Sequence, residues 1–460
     1  MFKRFTASVA YLIIFISSNT ISQQLRNPES EILEMLETSQ PYHVVSESMF
    51  ERLGWSLPDN GETVKKLADS AIQGTLDPRK LESIPASVTG YKSRWHRLRY
   101  DKYGLQWDIT GLHLTPENSV KGLPTLVLIH GGSSNWYEFF LDPLNNPGIG
   151  QYLAQRVPVL LVTIPGNFRY GGWIEEELGK RTPAYLLDKE FTDEEVAVRT
   201  ASYTFKLVAD GVKQLIEHVT NDDVVIIGHS TAGEIPYMLQ GTTLQQRMHG
   251  KILGWGSGGT SSQKAMQDRW GYTQTVNSYP PIERMRPRPI DNYSGDYLGP
   301  LNPVWEEGLS REEIAKRWMG IQEFQRRPHF KQPLQDMERR GAISGMMEGT
   351  INQVIDVLKD NPFGVDAEKV VSDLFSPLRA PITGYQKIIL TTARLDTGHW
   401  NKDNPEMAST FQMANELRRL NPHTPVRVLL FDVPMTHYGH VERPKQLAAG
   451  LYTALVWLSR

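Results

Sequence analysis

The residues best equipped for chemistry in this 460-residue chain are one serine and a small set of histidines and acids. Gly228-His229-Ser230-Thr231-Ala232-Gly233 follows an apolar run, Val224 to Ile227. A serine between a buried strand and a helix can sit on a tight, strained turn with its Oγ exposed, and small flanking residues let the helix pack close to the strand. With a base beside it, such a serine is a nucleophile. Without one it is an N-cap, a common place for serine. Near the C-terminus, Thr436-His437-Tyr438-Gly439-His440-Val441-Glu442-Arg443-Pro444 offers two bases, His437 and His440. Asp396, Asp403 and Asp432 are the carboxylates upstream of them, and His130-Gly131-Gly132 closes another apolar run. His229 is expected to pack beside the turn, since its neighbour Ser230 points elsewhere.

Composition narrows the chemistry further. The chain has no cysteine, which removes disulfides, thiolate catalysis and Cys-ligated zinc or iron–sulfur sites. Its twelve histidines form no HExxH, and neither GxGxxG nor a Walker pattern occurs, so no metal and no cofactor is assigned. Lys+Arg 49 against Asp+Glu 52 gives a net charge of −3, no footprint for nucleic acid. A hydrophobic fraction of 40% is ample for a packed core.

Several elements must position these residues. Residues 1–22 read as a secretory signal: Lys3 and Arg4, then the apolar run from Val9 to Ile16, then Thr20 and Ser22 at −3 and −1 of a cut before Gln23. The run is shorter than the about 20 residues a spanning helix needs, and there is no cysteine to lipidate. The product is therefore expected to be secreted or periplasmic, with no stable membrane anchor. Residues 23–90 read as a polar helical extension. Two alternating segments from Lys92 form a hairpin. Buried-strand runs follow at TLVLIH, VPVLLVTIP, DDVVIIGHS and KILGWG, then at KIILTTA and VRVLLF, with helical patterns over 191–219 and at the C-terminus. Alternating buried strands and helices predict an α/β fold with a doubly wound, mostly parallel sheet. A block of some 120 residues interrupts the alternation and reads as an insertion over the sheet. The expected layout is core over 91–258, insertion over 259–384 and core again over 385–460.

With these motifs in place the chain resembles the α/β-hydrolase superfamily, over roughly residues 92–258 and 385–460. Gly228, Ser230 and Ala232 match its G-x-S-x-G elbow, with Ala at the last glycine position. The resemblance implies that Ser230 is the nucleophile and that the backbone N–H groups of Thr231 and Gly132 form the oxyanion hole, Ser133 being a weaker second donor. In many members the catalytic histidine is followed five residues later by Glu and seven later by Pro. His437 meets that spacing through Glu442 and Pro444, and His440 does not. The orienting acid follows the preceding strand, where Ala393-Arg394-Leu395-Asp396 stands in place of G-x-x-D. Asp403 reads better as a solvated loop acid, and Asp432 lies too close to its strand end. The order Ser230, Asp396, His437 is the one this fold requires.

By the same resemblance, 259–384 is a helical cap. Trp270, Trp305, Trp318, Phe324, Met346 and Met347 give it apolar surface for a lid over an apolar pocket, although each residue is as well explained as core of the cap itself. The implied activity is that of a secreted serine esterase acting on small-molecule esters. A capped peptidase or amidase is the alternative, with Glu175, Glu176 and Glu177 as conceivable partners for a substrate amine. A catalytically silent binding protein on the same fold is the other. Dehalogenase and epoxide hydrolase chemistry is disfavoured, because those enzymes carry aspartate where this chain has Ser230.

Overall fold

The computed structural model describes residues 27–58, 63, 78–131, 136–141, 146–165, 191–256, 354–374, 376, 380, 383–396, 408–435 and 437–460. The predicted signal, most of the predicted insertion, Gly132, Ser133, Glu175 to Glu177 and Asp403 lie outside them.

Among the described residues there are nine strands, β1 (His43–Ser46), β2 (Tyr91–Lys102), β3 (Leu105–Pro116), β4 (Thr125–Ile129), β5 (Val159–Thr163), β6 (Val224–Gly228), β7 (Lys251–Trp255), β8 (Lys387–Ala393) and β9 (Val426–Asp432). They pair in the orders β2-β3-β5-β4-β6 and β1-β9-β8-β7. A parallel bridge between His229 and Trp255 joins β6 to β7. Every pairing is parallel except β2 with β3 and β3 with β5. The predicted doubly wound, mostly parallel sheet is therefore present, with the hairpin on one edge.

Why the parallel strands read as unbroken apolar runs follows from their packing. Successive side chains point to opposite faces, and both faces are covered. Val127 and Ile129 of β4 pack in one core with Val208, Val212 and Leu215 of helix Phe205–Val219. Leu126 and Leu128 pack in a second core with Leu447, Leu451 and Leu455 of the C-terminal helix Pro444–Ser459. Ile388 and Ile389 of β8 divide between the two cores in the same way.

Three expectations change. The segment 23–90 is not only helical: helix Pro28–Glu37 is followed by β1, which pairs in parallel with β9 from His43↔Leu429 to Ser46↔Asp432. The helical pattern over 191–219 is also two helices, Asp193–Ala201 and Phe205–Val219, because the Thr204 side chain accepts from Leu207 N and starts the second. The last part of the predicted insertion belongs to the sheet's core. Val354, Leu358, Val365 and Val370 pack with helix Phe205–Val219, and Asp373 takes a 2.9 Å hydrogen bond from Tyr103 and pairs with Lys102. Among the described residues no helix is long and apolar enough to cross a membrane.

Candidate active site

Ser230, Asp396 and His437 each stand just beyond the C-terminal end of a parallel strand, β6, β8 and β9 respectively. Such ends line one rim of a parallel sheet, where this architecture gathers ligands and catalytic groups.

The serine turn is built by two close approaches. Ser230 has φ +54°, the left-handed region that a residue with a Cβ seldom occupies. The chain reverses there from β6 into the 3-10 helix Ser230–Glu234 and then helix Ile235–Leu239. A Cβ on Gly228 would fall 1.8 Å from the Ala232 carbonyl oxygen, so only glycine lets the helix start this close to the strand. Ser230 N–H donates to the Gly256 carbonyl at 3.2 Å, which ties the turn to the end of β7. The side chain of Ser230 is half-buried. Thr231 follows it in the first turn of the 3-10 helix.

The acid and base meet because the ends of β8 and β9 are zipped together. Arg394 N–H donates to Phe431 O at 3.1 Å, and Leu395 N–H to Met435 O at 3.0 Å. Asp396 thereby faces the loop after β9, and His437 Nδ1 lies 3.2 Å from both of its carboxylate oxygens. Both side chains are buried. Asp432 is turned away, half-exposed and 3.4 Å from Arg394. The base is also close to the serine turn: a Cβ on Gly256, whose carbonyl receives the Ser230 N–H, would lie 3.3 Å from His437 Nδ1 and Cε1.

Of the two proposed oxyanion donors, only Thr231 falls within the described residues. The loop that leads to Gly132 nevertheless reaches the turn, since a Cβ on Gly131 would lie 3.0 Å from Ser230 Cβ. His130, which opens that loop, is a brace. Its Nε2 accepts from Ile164 N–H at 3.2 Å, so Nδ1–H donates to Gly131 O at 2.7 Å. Full burial pushes its pKa down to about 4 and keeps it neutral.

The family model described as the alpha/beta hydrolase family matches residues 126–450, from β4 into the last helix. The chain belongs to this family. Solved structures similar to this alpha/beta hydrolase include a membrane phospholipase A, a novel bacterial virulence factor, at 13% identity, covering 99% of this chain and 98% of that one with a TM-score of 0.39. A loop variant of a haloalkane dehalogenase from Bradyrhizobium elkanii has 12% identity, coverage of 80% and 97%, and a TM-score of 0.39. A laboratory-evolved potato epoxide hydrolase has 12% identity, coverage of 78% and 98%, and a TM-score of 0.40. The reactions of these proteins differ, so they do not distinguish the reaction of this one. Comparison with curated proteins gives no match.

Beneath the candidate triad of this hydrolase lies a polar cluster that the sequence did not announce. His229 is fully buried; its ring lies against that of His437, centroids 4.6 Å apart, and its Nε2–H donates to the His437 carbonyl at 2.9 Å. His440 is buried too, and Trp255 Nε1–H donates to its Nδ1 at 3.3 Å. Both rings face Glu138, from the 3-10 helix Trp136–Phe139. Glu138 is itself buried, its Oε1 3.5 Å from His229 Nδ1 and 3.6 Å from His440 Nε2. Its only trace in the sequence is an acid inside the aromatic stretch Trp136-Tyr137-Glu138-Phe139-Phe140, where a buried charge needs partners.

Proposed function

We propose that this alpha/beta hydrolase is an exported serine esterase. Ser230 Oγ attacks the ester carbonyl carbon while His437 takes its proton, and Asp396 holds the imidazole and stabilises the imidazolium. The N–H groups of Thr231 and Gly132 carry the oxyanion. Collapse of the tetrahedral intermediate breaks the ester C–O bond, and the alcohol leaves with the proton from His437. A water deprotonated by His437 then attacks the acyl-serine, releasing the acid and regenerating Ser230. The observation that carries this reading is the φ +54° turn at Ser230, tied to Gly256 and beside the loop on which His437 meets Asp396. A carboxylate facing Nδ1 favours the tautomer with Nδ1–H, which puts the basic lone pair on Nε2. We place the insertion over the pocket as a lid and the mature N-terminus at Gln23, with a small-molecule ester as partner.

The test is intact mass after incubation with a fluorophosphonate, wild type beside Ser230→Ala. One adduct on wild type and none on the variant is the expected result; a folded wild type that takes no adduct would overturn the proposal. Matched activated esters and anilides then separate esterase from amidase. The mass of the exported protein reports the cut before Gln23.

A further inference from the structure

Among the described residues, three polar atoms converge in the buried cluster without a hydrogen-bond partner: Glu138 Oε1, His229 Nδ1 and His440 Nε2. Glu138 Oε1 lies 3.5 Å from His229 Nδ1 and 3.6 Å from His440 Nε2, too far for a direct hydrogen bond, and all three atoms are within 4.8 Å of one another. Leaving such atoms dry in the interior is unfavourable, so the cluster calls for a partner they share.

The partners on the far side of each ring fix what each atom needs. His229 gives its Nε2–H to the His437 carbonyl, so a neutral ring leaves a lone pair on Nδ1. His440 Nδ1 receives the Trp255 N–H, so its own proton is on Nε2. Burial pushes His440 down to about 4, which keeps that ring neutral. The cluster therefore presents two acceptors, Glu138 Oε1 and His229 Nδ1, and one donor, His440 Nε2–H. One water matches this set, donating twice and accepting once. A circle through three points so spaced has a radius of at most about 2.4 Å, so a single oxygen can reach all three at ordinary hydrogen-bond length. The same donor set superficially suits a divalent metal, with one carboxylate and two imidazoles. Ligation through His440 Nε2, however, requires a proton on Nδ1, where the Trp255 N–H already points.

We propose that Glu138, His229 and His440 enclose one water molecule and that this node positions His437, making Glu138 a positioning residue for the base. The node joins the 3-10 helix after β4, the turn at Ser230 and the loop carrying His437 and His440. The node bonds the base through His229, whose Nε2–H donates to the His437 carbonyl, so Glu138 acts through His229. This role rests on His437 being the base; the water site itself does not.

A high-resolution crystal structure of the full protein, with anomalous scattering and metal analysis, tests the node. One light-atom peak within about 3.2 Å of all three atoms is expected. A bound metal, or Glu138 in direct contact with His229 and no water between them, would overturn it. Kinetics test the role. Glu138→Ala should lower kcat about 10- to 100-fold with little change in KM, as displacement of a catalytic group does. Glu138→Gln, which keeps an acceptor for the water, should recover most of that loss and also covers the case that the alanine variant does not fold. If Glu138→Ala keeps full kcat, or Glu138→Gln is as impaired as the alanine variant in a cooperatively folded protein, the positioning role is wrong. A wild type that fails to label with fluorophosphonate would instead remove the esterase reading and leave the water site to be judged by diffraction.

Discussion

Glycine at position 230 should make this protein more stable while making it inert. Ser230 carries a Cβ at φ +54°, a conformation that costs an L-residue about 1–2 kcal/mol and that glycine adopts freely. Ser230→Ala removes Oγ and keeps the strain. Ser230→Gly removes both, at the expense of about 0.5–1 kcal/mol for the greater freedom of glycine in the unfolded chain. The difference between the two variants therefore isolates the strain, and Ser230→Gly should exceed Ser230→Ala by about 0.5–1 kcal/mol. Urea denaturation is the assay, the slopes having to agree for the midpoints to be compared. In a chain of this size the shift in Tm is small, about 1–2 °C. Position 228 supplies the opposite sign, because a Cβ there lands 1.8 Å from Ala232 O and 2.3 Å from its carbonyl carbon. Those are backbone atoms that cannot step aside, so Gly228→Ala should lose about 1–3 kcal/mol or more and open the turn. If Ser230→Gly is no more stable than Ser230→Ala, no strain is held at the serine and the reasoning from the turn to an exposed nucleophile fails.

Asp396→Asn should leave the fold intact and reduce turnover of an activated ester on the order of 10⁴-fold, because the amide no longer favours Nδ1–H on His437. His437→Ala should abolish turnover and His440→Ala should leave a measurable fraction; the reverse ranking in ester kinetics would exchange the two roles. Acid should destabilise the protein before its carboxylates titrate. His130 and His440 are held at about 4 by burial against an ordinary 6.5, so the unfolded chain takes up their protons first. The stability they contribute is complete above 6.5 and lost as pH falls towards 4, on the order of 3 kcal/mol each at the limit. A urea midpoint unchanged between pH 7 and 4.5 would contradict this.

Much of the sheet was readable because its parallel strands are covered on both sides. A strand whose neighbours fill both faces is apolar at most positions, and VVIIG, TLVLI and the start of KIILTTA show that without reference to the rest of the molecule. The same logic explains the misses. β1 is four residues long, with exposed residues alternating with buried ones, and it exists only because β9 offers it an edge. Nothing in His43-Val44-Val45-Ser46 alone distinguishes that from a loop. Glu138 was unreadable for a different reason: its partners lie 91 and 302 residues away, at His229 and His440. A buried charge signals that partners exist and gives no address for them.

Choosing among rival acids and bases comes down to distance past a strand end. A group that ends inside a strand is committed to one face of the sheet, whereas a group a few residues beyond it can turn over the rim. Asp432 is the last residue of β9 and is spent on Arg394 at the surface. Asp396 stands three residues past β8, after a turn that donates to the neighbouring strand end, and His437 stands five past β9. His440 is three further on, far enough for helix Gly439–Glu442 to carry it down under the rim against Trp255. The two histidines are thus separated by less than one turn of chain, yet His437 faces Asp396 at the rim while His440 lies against Trp255 and Glu138.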